Sequence, residues 1–185
     1  MGQNAIEILK LAAPERNEID ADCRLINLKN GMLDLETYEM IDHSPDYYST
    51  VQVPITYDRN AVCPQFDKFI HEIFEGDAER ILVMQEIVGY CLTAETKIHK
   101  AFFFHGSGAN GKSVLLEVIT SLIGRENVSN LSLKDLEKPF NRAGLMAKTA
   151  NISTENEISS KGFSSQYLKA IVSGDAITVE KKYQN

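Results

Sequence analysis

Apolar residues recur at helical intervals in several stretches of this chain and at alternate positions in one. Ile6, Ile8, Leu9 and Ala12 predict a short amphipathic helix over residues 4–12, broken by Pro14. Phe66, Phe69, Ile70, Ile73 and Phe74 predict a helix that stops at Gly76. Asp77 can cap a second helix carrying Ile81, Leu82, Met84, Ile87, Val88 and Leu92. The alternation lies between Arg24 and Glu36: Ile26 and Leu28 alternate with Asn27 and Lys29, and Leu33 and Leu35 with Asp34 and Glu36. Asn30-Gly31 sits between the two runs, so the pattern predicts a hairpin with a two-residue turn, Asn-Gly tolerating the positive φ that a type I′ turn imposes. The loop-rich stretch from Pro45 to Pro64 predicts one further strand around Tyr47, Tyr48, Val51 and Val53. Aromatics there can stack bases, but core packing is the favoured reading.

Ala101-Phe102-Phe103-Phe104 is a short, wholly apolar run, the pattern of a strand buried on both faces of a parallel sheet. His105 and then GSGANGKS follow, so that Gly106, Gly111, Lys112 and Ser113 fill G-x-x-x-x-G-K-[ST]. Each residue type there has a physical task. Glycines let the backbone turn so that amide N–H groups aim at phosphate oxygens. Lys112 is expected to reach the β- and γ-phosphates, and the Ser113 hydroxyl to bind Mg²⁺. Val114, Leu115, Val118, Ile119 and Leu122 form the apolar stripe of the next helix, which ends at Gly124 and turns its positive end to the anion. At average composition the four fixed positions recur by chance in roughly 0.6% of chains this long, so the motif singles out a nucleotide site over a chance glycine-rich turn. The nucleotide-binding set is Gly106, Ser107, Gly108, Ala109, Asn110, Gly111, Lys112, Ser113 and Val114, with ATP or another nucleoside triphosphate and Mg²⁺ as cofactors.

Composition narrows the class. With 43% hydrophobic and 24% charged residues in 185, the chain can bury one core or two small adjoining ones. No stretch has the length of a membrane span and no signal sequence precedes it, which makes the cytoplasm the default location. Cys23, Cys63 and Cys91 are odd in number and form no C-x-x-C pair, which suits reduced thiols and disfavours a zinc site. Net charge is −7 but unevenly spread: 8 Lys and Arg stand against 18 Asp and Glu before residue 99, and 11 against 8 from there on. The acidic part is a poor grip for a polyanion, and the second half is compatible with nucleotide and nucleic acid.

A P-loop enzyme also needs a carboxylate at the end of a neighbouring strand, to hold the metal or activate water. Thr149 to Thr154, followed by Glu155 and Glu157, is the best candidate, although Asn151 and Ser153 are poor residues for a buried strand and an exposed Glu pair is the plainer alternative.

Taken in order, INLKNGMLDLET, YDRNAVCPQFDKFI, QEIVGYCLT, AFFFHGSGANGKS, AKTANISTENE and IVSGDAITVEKKYQN resemble the phage/plasmid primase family of replicative helicases, the poxvirus-type primase-helicases of helicase superfamily 3. The resemblance implies an α/β fold: an AAA+-like P-loop parallel sheet in residues 99–185, incomplete at its C-terminus. A smaller α+β accessory domain with a β-hairpin and helices, residues 1–98, comes before it. It implies that Gly106 to Ser113 are the Walker A motif and that Glu155 is the Walker B acid and a metal ligand, with Thr154 and Asn156 in place of an adjacent acidic pair. Whether Glu155 or Glu157 polarises the water stays open, and the catalytic set is Lys112, Glu155 and Glu157. Gly174, Asp175, Lys181 and Lys182 resemble the family's loop that touches single-stranded DNA inside a hexamer channel; by charge alone Lys181-Lys182 is a solvated pair.

No sensor strand or arginine finger follows Lys182, and the primase domain usual upstream is absent, so the expectation is an accessory domain plus the first half of an ATPase core. The implied function is ATP-driven translocation on single-stranded DNA by a phage-, prophage- or plasmid-encoded hexamer, with other replication proteins as further partners and no membrane. A non-enzymatic nucleotide-binding or interaction module is the alternative. A small-molecule kinase is disfavoured, because the region after Gly124 offers only scattered basic residues for a lid.

Overall fold

The computed structural model describes residues 19–108, 110–154 and 165–180, so the helix expected over residues 4–12 lies outside the described residues. The first unit is a three-stranded antiparallel sheet of β1 (Leu25–Leu28), β2 (Gly31–Asp34) and β3 (Met40–Ile41), in that order. Its register pairs Leu28 with Gly31 and Ile26 with Leu33. The two turn residues are therefore Lys29 and Asn30, one position earlier than Asn30-Gly31, and neither has positive φ. A tertiary contact explains the shift. Asn30 Nδ2 donates to the Tyr57 carbonyl (3.0 Å) and Tyr57 N–H donates to Asn30 Oδ1 (2.9 Å), while Lys29 N–H donates to the Ile55 carbonyl. Gly31 serves close approach instead: a Cβ there would lie 2.7 Å from the Ile41 carbonyl oxygen of β3.

The strand expected around Tyr47 to Val53 is reduced to one parallel bridge between Leu28 and Val53, because a 3₁₀ turn at Pro45–Tyr47 and left-handed Tyr48 bend the chain first. Ile26, Leu28, Leu33 and Val53 form the core of this unit.

The two helices expected after it are present. α1 (Pro64–Ile73) starts on a proline, and α2 (Ala78–Cys91) starts where Asp77 Oδ1 accepts from Arg80 N–H at 3.1 Å. α3 (Lys112–Ile123) follows the glycine-rich loop and ends at Gly124 (φ 99°). Ile70, Ile81, Met84, Leu115, Ile119, Ile123 and Val128 are buried in one cluster, so α1 and α2 share their core with α3. Within α3 the buried line is Leu115, Ile119, Thr120 and Ile123, whereas Val114 and Val118 of the expected stripe face outward. The inward arc is centred about one residue from the one that periodicity suggests.

Beyond α3, β4 (Val128–Ser129) pairs in parallel with β5 (Ala150–Asn151), with α4 (Pro139–Arg142) between them and α5 (Ser165–Ser173) after them. Among the described residues Ala101–Phe104 is not a paired strand: Phe103 is 72% exposed, and of the three phenylalanines only Phe104 packs against the main core, as Ala150 and Ile152 also do. Among the described residues the apolar run pairs with no strand, where the sequence pattern predicts a strand buried on both faces.

Candidate functional site

Gly111 begins α3 in the left-handed region (φ 80°), and α1 packs directly beneath it. A Cβ on Gly111 would lie 2.7 Å from Ile73 Cγ2 and 3.3 Å from Phe69 Cε2, so both backbone conformation and packing demand glycine. α1 thus buttresses the loop. No side chain caps the N-terminus of α3 and no acidic residue stands in its first turn, which leaves the positive end of the helix to the loop in front of it.

Lys112 folds back into that loop. Its Nζ donates to the carbonyls of Gly106 (3.0 Å) and Ser107 (3.1 Å) and to Asn110 Oδ1 (2.6 Å), which fills all three ammonium donors. Ser113 is exposed one residue further on, and Val114 is 55% exposed on the first turn. Gly108 has open space around it, and Ala109 lies outside the described residues. The arrangement concentrates a cation and an uncapped helix N-terminus at one glycine turn, and because the loop's own acceptors fill the ammonium, an anion there would take the place of at least one of them.

On the acidic side, β5 solves the problem of its polar residues through its side chains. Asn151 Oδ1 accepts from Ser129 Oγ (2.7 Å) and from Leu131 N–H (2.8 Å), and Asn151 Nδ2 donates to the Leu131 carbonyl (2.9 Å). The carboxamide thereby substitutes for a peptide and extends the ladder beyond its two paired residues. Glu155 and Glu157 lie outside the described residues, as do Lys181 and Lys182. Among the described residues no cluster of His, Cys, Asp and Glu could hold a metal ion. Cys23, Cys63 and Cys91 are free thiols there, and burial pushes the Cys91 thiol pKa up.

Gly174 (φ 74°) terminates α5, and Asp175 N–H donates to the Ala170 carbonyl while Ser173 Oγ donates to Asp175 Oδ2 at 2.6 Å. These two residues form a helix end. The segment after them lies along α4: buried Arg142 donates from Nε to the Thr178 carbonyl (3.0 Å) and from Nη1 to those of Leu136 and Glu137, and its guanidinium stacks 3.9 Å from the Tyr167 ring. Nothing in the sequence marks Arg142, an arginine in no recognisable motif.

Residues 2–75 match the family described as D5 N terminal like. That match supports a relationship to primase-helicase replication proteins, which are enzymes. Residues 104–185, which hold the glycine loop and α3, match a family described only as a family of unknown function (DUF5906). The D5-like match spans the hairpin sheet and α1, the helix that underlies Gly111. No helix among the described residues is long and apolar enough to cross a membrane.

Proposed function

We propose that this chain is a nucleoside triphosphate-binding part of a primase-helicase-type replication protein, with the loop from Gly106 to Ser113 as its phosphate site. The observation that carries the reading is Lys112, held with its ammonium in a glycine turn before the uncapped end of a twelve-residue helix. ATP is the proposed nucleotide and Mg²⁺ the proposed metal. Lys112 and the loop amides would hold the phosphates, and the exposed Ser113 hydroxyl would be a ligand of the metal, which when bound withdraws charge from the phosphate oxygens. Glu155, or Glu157 two residues on, is the proposed acid that completes the site.

In the same reading the core is an α/β P-loop sheet of AAA+ type, of which β4 and β5 are two strands, assembled as a homo-hexamer and driven along single-stranded DNA by hydrolysis. Lys181 and Lys182 are the proposed DNA contacts. Calorimetric titration with MgATP tests the phosphate site. Lys112→Ala is expected to abolish binding, since it removes the cation and leaves the glycine turn intact. Unchanged affinity in that variant would overturn the assignment.

A further inference from the structure

The four fixed positions of the loop do not include Asn110, yet its side chain occupies the centre of the turn. Asn110 Oδ1 takes the shortest of the three Lys112 ammonium bonds, at 2.6 Å. Because an ammonium only donates, that contact sets the orientation of the carboxamide: Oδ1 faces Lys112, and Nδ2 faces Gly106. Nδ2 lies 2.1 Å from where a Cβ on Gly106 would stand, and that same Cβ would be 3.5 Å from Lys112 Nζ. Gly106 does not have positive φ, so its backbone would accept an alanine. What the glycine provides is room for the Asn110 amide beside the ammonium.

We propose that Asn110 is a phosphate-binding and positioning residue: Oδ1 orients the Lys112 ammonium, and Nδ2, which makes no hydrogen bond to the described residues, donates to a phosphate oxygen next to it. Phosphate oxygens accept and do not donate, so a carboxamide that presents its acceptor to the cation and its donors to the anion matches both neighbours at once. Aspartate at this position keeps the acceptor toward Lys112 but replaces the donor with negative charge. Alanine removes both. Gly106→Ala displaces the carboxamide without touching it chemically. The inference deepens the phosphate-site reading and rests on it.

The test is calorimetric titration of MgATP and MgADP into the full chain and into Asn110→Ala, Asn110→Asp, Gly106→Ala and the Gly106→Ala/Asn110→Ala double variant, each checked for an unchanged melting temperature. Loss of one charge-assisted hydrogen bond is expected to weaken ATP binding about tenfold in Asn110→Ala, and more in Asn110→Asp. Gly106→Ala should weaken binding too, and its effect should shrink once Asn110 is already alanine, because the methyl then has no amide to displace. Equal or tighter ATP binding by Asn110→Ala, or the same loss from Gly106→Ala in both backgrounds, would overturn the role of Asn110. Lys112→Ala separates the two levels. If the wild-type chain binds MgATP and Lys112→Ala does not, the phosphate site stands whatever Asn110 does; if the wild-type chain fails to bind, the site reading falls first.

Discussion

A side chain at Gly124 would meet Pro54 Cδ at 2.8 Å and Asn127 Nδ2 at 3.0 Å, on a backbone held at φ 99°. Gly124→Ala is therefore expected to destabilise the fold by about 1–3 kcal/mol, read as a lower midpoint in urea unfolding. Gly108→Ala is the matched control. No atom of the described residues beyond its chain neighbours lies within 4 Å of its Cβ position and its φ is not positive, so its stability should move by no more than about 0.5 kcal/mol. The two glycines are indistinguishable as letters. The first closes the joint at which Asn127 Nδ2 donates to the carbonyls of Gln52 (2.7 Å) and Ile123 (2.8 Å), tying the hairpin unit to the end of α3.

At the scale of elements, α2 depends on one side chain for its start. Asp77 accepts from Arg80 N–H and its carboxylate also pairs with the Arg80 guanidinium at 3.2 Å. Asp77→Ala should cost about 1 kcal/mol of global stability, measured by denaturant unfolding, with most of it from the lost cap because the ion pair is solvent-exposed. A shift near zero would mean that the packing of Ile81 and Met84 alone determines where α2 begins. Helices and strands differ in how far such local signals reach. α1 and α2 carry their stop and start within Gly76-Asp77, and those boundaries were legible in the sequence. The Lys29-Asn30 turn was misplaced by one residue, because its register answers to Tyr57, 27 residues away from Asn30.

Across the whole molecule the acidic excess lies before residue 99, and the proposed DNA contacts, Lys181 and Lys182, are two lysines on a protein of net charge −7. Binding of a single-stranded oligonucleotide to the 185-residue chain is expected to be weak, on the order of 10⁻⁴–10⁻⁶ M, and to fall with salt. Replacing each lysine by alanine should lower the slope of log affinity against log salt by about 0.7. Fluorescence anisotropy at a series of salt concentrations reads both quantities. Tight binding indifferent to Lys181→Ala and Lys182→Ala would remove these residues from the DNA contact.

By itself, the sequence determined the features whose physics is local. These are the glycine loop with its lysine and serine, the helix behind it and the Asp77 start of α2, because capping, helical periodicity and the G-x-x-x-x-G-K-[ST] spacing all act within a few residues. Tertiary structure alone decided which line of α3 is buried, that Ala101–Phe104 has no ladder partner among the described residues, and that Phe69 and Ile73 support Gly111. It also decided that Arg142 is buried against the segment before Lys181 and that Asn110 lies between Gly106 and Lys112. Each of those depends on which distant surface arrives beside the residue. Periodicity names a face of an element, whereas its neighbour is set by how separate elements share one core.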